Sequence, residues 1–148
     1  MYPAKYKISL RITHPSMDPE DISGQLDLSP SRKWKAGSQR STPAGEQLAG
    51  TNKETYCVFD LDEKVGSDLE LTLCALTTKF RNFEKFFKKV RSTGGTIEFF
   101  VGLFVKVNTG IVLDRGLMAQ LTKLGIDLSF DIYESHRPRK VAARQVAR

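Results

Sequence analysis

The stretch from Ser67 to Val105 constrains the fold more than any other. Leu69, Leu73, Leu76, Phe80, Phe83, Phe87 and Val90 follow one another at alternating steps of four and three residues. At helical geometry that spacing places all seven on one stripe. Ser67 with Glu70 three residues later reads as a capping box, and Asp68 adds negative charge to the first turn. Lys88, Lys89 and Arg91 suit the carbonyl end, and Gly94 or Gly95 supplies the stop. A helix over about residues 68–92 would be roughly 37 Å long. The run that follows, Thr96 to Val105, reads TIEFFVGLFV, and its β-branched and aromatic content predicts a strand. Its near-continuous apolarity suggests an inner strand and allows cover on both faces.

Three heptads of this spacing also suit a coiled coil, but bulky Phe residues and the adjoining strand favour burial against a sheet. The opposite helix face, with Lys79, Arg81, Lys85, Lys88 and Lys89, then meets solvent. Leu71 and Phe86 lie off the stripe and either widen the buried face or contribute to an interface.

The flanking chain supplies the sheet. Tyr6 to Thr13 alternates around Ile8, Leu10 and Ile12, a strand with one buried face. Asp18 caps a short helix with Pro19 at its first position; Ile22 and Leu26 point inward, and Gly24 weakens it. Leu28 to Glu54 is the least regular region, rich in Gly and Pro, and reads as a long loop with room for a small strand near Trp34. Thr55 to Leu61 forms the next strand. Ile111 to Leu113 reads as a brief strand after a turn at 106–110. Asp114 caps a helix with Leu117, Leu121 and Leu124 inward, Gly125 stops it, and Ile126 to Tyr133 alternates as a half-buried strand. The expected architecture is α+β, with a mainly antiparallel sheet of four to five strands, a long central helix and two shorter helices.

Length and charge bound the rest. A chain of 148 residues suits one domain, expected over residues 1–135, with 136–148 as a basic tail. The formal charge is +6, from 23 basic and 17 acidic residues. Arg137, Arg139, Lys140, Arg144 and Arg148 carry five of those charges, and 23 less five leaves 18 basic against 17 acidic before the tail. The excess therefore supports a basic appendage, not a nucleic-acid-binding core. No stretch reads as a signal peptide or a membrane span, so a cytoplasmic protein is expected. Cys57 and Cys74 read as buried thiols and are too few for a structural zinc site.

The chemistry-bearing residues are sparse. Arg32, Lys33, Trp34, Lys35 and Arg40 form a basic segment around one aromatic side chain. Trp34 either stacks on a planar partner or anchors the loop to the core. Asp60, Asp62, Asp131 and Glu134 are the acids to inspect, though their ordinary role is to solvate strand ends. His14 and His136 have no partner identifiable from sequence. Phosphate loops, nucleotide-binding glycine fingerprints, metalloprotease His pairs and serine-hydrolase elbows are missing from the sequence. No metal or cofactor is expected.

The assembled pattern resembles the bacterial domain of unknown function family 4279. The resemblance rests on the first strand, Asp18-Pro19, Ile22, Leu28, Pro30, Trp34 and Gly37. The second half adds Ile111, Leu113, Leu117, Leu121, Leu124-Gly125 and Ile126 to Tyr133. It covers roughly residues 4–134 and implies a compact α+β domain of bacteria or their mobile elements, with no catalytic assignment. Three functions remain in order. The first is a noncatalytic protein-interaction or small regulatory module, including self-association, with Phe86, Phe99 or Phe100 on an exposed apolar patch. The second is nucleic-acid binding by the tail and the Trp34 loop. The third is an enzyme using the four acids.

Overall fold

A computed structural model of the protein describes residues 4–65 and 68–134. Its elements run β1 (Ala4–His14), α1 (Pro19–Leu26), β2 (Arg32–Trp34), β3 (Gln39–Ser41), β4 (Gln47–Thr51) and β5 (Thr55–Val65). They continue as α2 (Leu69–Phe80), α3 (Glu84–Ser92), β6 (Thr96–Val105), α4 (Arg115–Leu124) and β7 (Asp127–Glu134). A five-stranded sheet has the order β2-β5-β1-β6-β7, and β3 and β4 form a separate hairpin. The fold is α+β, but the sheet is mixed: β7 runs parallel to β6, whereas the other neighbours are antiparallel. The cause is α4, which carries the chain back across the sheet as a parallel connection requires. Ile111 to Leu113 belongs to no strand; it is part of the lead into α4.

The long helical run spans 24 residues, 69–92, with a 3-10 turn at Arg81–Phe83 between α2 and α3. That turn has a geometric use. A stripe repeating every 3.5 residues drifts about 20° per heptad on a straight α-helix, roughly 60° over three heptads. A 3-10 turn advances about 20° more per residue than an α-turn, so three residues recover the drift. Leu69, Leu73, Leu76, Phe80, Phe87 and Val90 are all buried, and Phe83 packs half-buried beside them. The stripe thus stays on the sheet without supercoiling. The lysine-rich opposite face is exposed.

Capping follows local chemistry. Asp18 accepts from Glu20 N, and Asp114 accepts from Leu117 N. The cap of α2 is Asp68, whose carboxylate accepts from Glu70 N and Leu71 N. This corrects the Ser67 capping box; Ser67 itself lies outside the described residues. Gly125 ends α4 in the left-handed conformation at φ 68°.

One sheet face carries the core. Tyr6, Ile8, Leu10 and Ile12 of β1, Cys57 and Phe59 of β5, and Ile97, Phe99, Val101 and Leu103 of β6 are buried with the helix side chains. The Tyr6 hydroxyl donates to Thr72 Oγ1 at 2.6 Å, while Thr72 donates to Asp68 O. Among the described residues, no helix lies over the opposite face. Within them β6 is therefore an inner strand covered on one face only, which corrects the allowance for cover on both.

Two knots fix the strand ends. His14 Nδ1 accepts from the backbone N–H of Ser16 and Met17 at 3.0 and 2.8 Å. Nε2 must then carry the proton, and it donates to Thr93 Oγ1 at 2.7 Å, which itself donates to Lys89 O. His14 thus has partners that no sequence spacing reveals. Buried Thr55 donates to Met17 O and accepts from Ala36 N. Cys57 and Cys74 are free thiols; burial pushes the Cys57 thiol up to about 11.

Candidate interaction surface

Strand alternation builds the uncovered face residue by residue. Across the register, Trp34 lies opposite Tyr56, Arg32 opposite Val58, Arg11 opposite Val58 and Glu98, and Ser9 opposite Asp60 and Phe100. Gly102 and Phe104 of β6 lie opposite Asp131 and Tyr133 of β7. The result is a sheet face carrying five aromatic side chains from four strands.

These side chains pack on one another, with no described helix covering them. Trp34 and Tyr56 stack with ring centroids 4.6 Å apart, and the Arg32 guanidinium lies 4.9 Å from the Trp34 ring. Phe104 and Tyr133 stack at 5.0 Å, nearly parallel. Arg11 lays its guanidinium 3.5 Å from the centroid of Phe100, a close cation–π contact, with Nε 3.3 Å from Ser9 Oγ. Between the Arg11–Phe100 and Phe104–Tyr133 pairs is an open depression of about 210 Å³, also lined by Lys7, Val58, Asp60 and Gly102. Gly102 leaves the floor free of a side chain.

Charge on this face is mixed. Lys5, Lys7, Arg11 and Arg32 share it with Asp60, Glu98, Asp127 and Asp131. Glu98 accepts from Ser129 Oγ at 2.7 Å. Asp131 accepts from the Tyr133 hydroxyl, and that hydrogen bond raises the Tyr133 pKa.

The structure divides the residues that the sequence singles out. Arg32, Lys33, Trp34 and Arg40 line one cavity of about 420 Å³ against the β3–β4 hairpin. Lys33 pairs with Glu20, and Lys35 with Asp18 at 3.1 Å, so both lysines are engaged by the start of α1. The backbone N–H of Glu20, then Lys35, holds the Asp18 carboxyl below its usual range. Trp34 packs on Tyr56 at the edge of the open face, away from the helix-side core. Phe86 is half-buried in a cleft between α1 and α3 with Met17, Gln25 and Lys89. Phe99 is fully buried, and only Phe100 reaches the open face. No exposed patch joins these three phenylalanines.

The acids do not converge. Asp60 on β5 and Asp131 on β7 are three strand spacings apart, about 14 Å. A register shift between Ile8 and Ser9 leaves Leu61 as an extra residue, with Asp60 opposite Ser9 and the Asp62 backbone opposite Ile8. The side chain of Asp62 lies outside the described residues. Glu134 is at the far end of β7, opposite Val105. No group of three metal-ligating side chains occurs among the described residues. Arg137, Arg139, Lys140, Arg144, Arg148 and His136 all lie outside the described residues.

Arg11, Tyr56, Phe104 and Tyr133 are members of the surface that sequence reasoning passes over. Their signal is present, as alternate positions in strands, but it becomes readable only once the helix-bearing face is known.

A family model described as "Domain of unknown function (DUF4279)" matches residues 4–135. The chain belongs to the DUF4279 family. No curated protein and no solved structure matches it. The match spans the whole DUF4279 sheet, including both ends of the open face. No helix among the described residues is long and apolar enough to cross a membrane.

Proposed function

We propose that this DUF4279 domain is a noncatalytic protein-interaction module that docks its partner on the open sheet face. The observation that carries this reading is the composition of that face: Trp34, Tyr56, Phe100, Phe104 and Tyr133 with two guanidinium groups laid on aromatic rings. Aromatic and arginine side chains dominate the energetics of protein interfaces. Here they are held by mutual stacking, so docking would cost little side-chain entropy. The proposal includes a bacterial cytoplasmic location, where the free thiols Cys57 and Cys74 suit a reducing environment.

The second reading is nucleic-acid binding through the Trp34 segment and the basic tail. Arg32 stacked over Trp34 favours it, since single strands bind to aromatic platforms beside cations. Two observations favour protein instead. Four acids on the same face would repel a phosphate backbone. Lys33 and Lys35 already pair with Glu20 and Asp18. Affinity capture with and without nuclease separates the two readings. Protein recovered equally after nuclease treatment, and equally by a chain lacking residues 137–148, is the expected result. Recovery abolished by nuclease or by that deletion would instead support nucleic acid.

A further inference from the structure

The two edges of the sheet are unlike. β2 is three residues long, carries Arg32 and Lys33, and adjoins the β3–β4 hairpin. Short length and charge are the usual protections of an edge strand. β7 also carries charge, at Asp127, Asp131 and Glu134, but it has eight residues, contains no proline, and keeps an unbroken register with β6. Its outer edge pairs with no described strand. On the helix side, Leu128, Phe130 and Ile132 lie opposite Phe99, Val101 and Leu103, yet Phe130 is 36% exposed and Ile132 62%. The helices that bury β6 do not reach this margin. An eight-residue edge with one apolar face of this kind offers backbone groups and side chains to another strand together.

We propose that β7 pairs antiparallel with β7 of a second copy, about a two-fold axis at Phe130. The case for a second copy is self-complementarity. With the axis at Phe130, Phe130 faces itself and Leu128 faces the other copy's Ile132, so the apolar side chains meet on one face. On the other face, Ser129 meets Asp131 and Asp127 meets Tyr133, so that no carboxylate stands opposite another. Antiparallel partners share a face, so the axis moves in whole residues. Moving it to Ser129 sets Asp127 against Asp131; moving it to Asp131 sets that carboxylate against itself. Like charges directly opposite destabilise a strand pair. A shift of two residues either way shortens the ladder. The pattern therefore selects one register. Pairing in it joins two five-stranded sheets into one of ten, with both open faces on the same side. This inference rests on the edge strand and does not depend on the role given to the open face.

Sedimentation equilibrium of the full chain, with a disulfide trap, tests the pairing and its register. The wild type is expected at twice the 16.6 kDa chain mass as concentration rises. Ile132→Lys, placed at a largely exposed position, is expected to stay monomeric with an unchanged circular dichroism spectrum. Phe130→Cys in a Cys74→Ser background is expected to cross-link to itself, because directly opposite Cα atoms of an antiparallel pair lie about 4.5–5.5 Å apart, within the span of a disulfide. A wild type that is monomeric at every concentration overturns the proposal, whether its own chain or another protein covers the edge. So does a dimer that survives Ile132→Lys. A dimer lost in Ile132→Lys whose Phe130→Cys form does not cross-link overturns the register.

Discussion

His14 is kept neutral by its surroundings. Two backbone N–H groups point at Nδ1, and burial lowers its pKa below the ordinary 6.5. The unfolded chain takes up a proton near 6.5, before the folded one does. The stability tied to the neutral ring is therefore complete above that pH and is lost as pH falls toward the lower folded value. Urea midpoints should drop between about pH 7 and pH 5 in the wild type, and less steeply in His14→Gln. Equal slopes would remove the imidazole from the account. Gly95 is fixed by space instead. A Cβ there would meet Thr13 O and Val90 Cγ1, each at 2.6 Å, and one of these is backbone. Gly95→Ala should cost about 1–3 kcal/mol in urea unfolding. The sequence marks Gly95 only as a helix stop and gives His14 no partner, because the contacts to Thr13 and Thr93 join segments about 80 residues apart.

Among the elements, the helices were the most legible. Their signals are local: Asp18 before Pro19, Asp114 before the Leu117 stripe, and Gly125 at the stop. The same locality gives a prediction for α1. Gly24 sits inside this helix, and an added Cβ meets nothing within 4 Å. Gly24→Ala should therefore stabilise the protein by about 0.5–1 kcal/mol, opposite in sign to Gly95→Ala, in the same unfolding experiment. The stripe from Leu69 to Val90 showed which face is buried but not how a 3.5-residue repeat stays there. The 3-10 turn at Arg81–Phe83 supplies that answer, and it was hidden because it preserves the spacing. Strand partners were less legible. Ile126 to Tyr133 alternates whether it pairs parallel or antiparallel, and the choice depends on where α4 carries the chain. The β3–β4 hairpin reads as loop in the sequence because its exposed strands lack a buried face.

At the scale of the whole molecule, all the described helices lie on one side of the sheet. That asymmetry gives Arg11, Phe100 and Tyr133 their surface role. The sequence shows two sets of alternate residues in each strand, but it does not show which set the helices cover. TIEFFVGLFV illustrates the difficulty: Phe99 is core and Phe100 carries Arg11, although they are adjacent and identical in type. The central claim, that partner protein docks on this open face, is tested most directly by nuclease-treated affinity capture with two charge reversals. Arg11→Glu alters the open face, and Lys88→Glu alters the exposed side of α3. With both variants folded to the wild-type melting temperature, recovery should be lost in Arg11→Glu and retained in Lys88→Glu. Equal recovery by both variants, or loss in Lys88→Glu alone, would contradict the account.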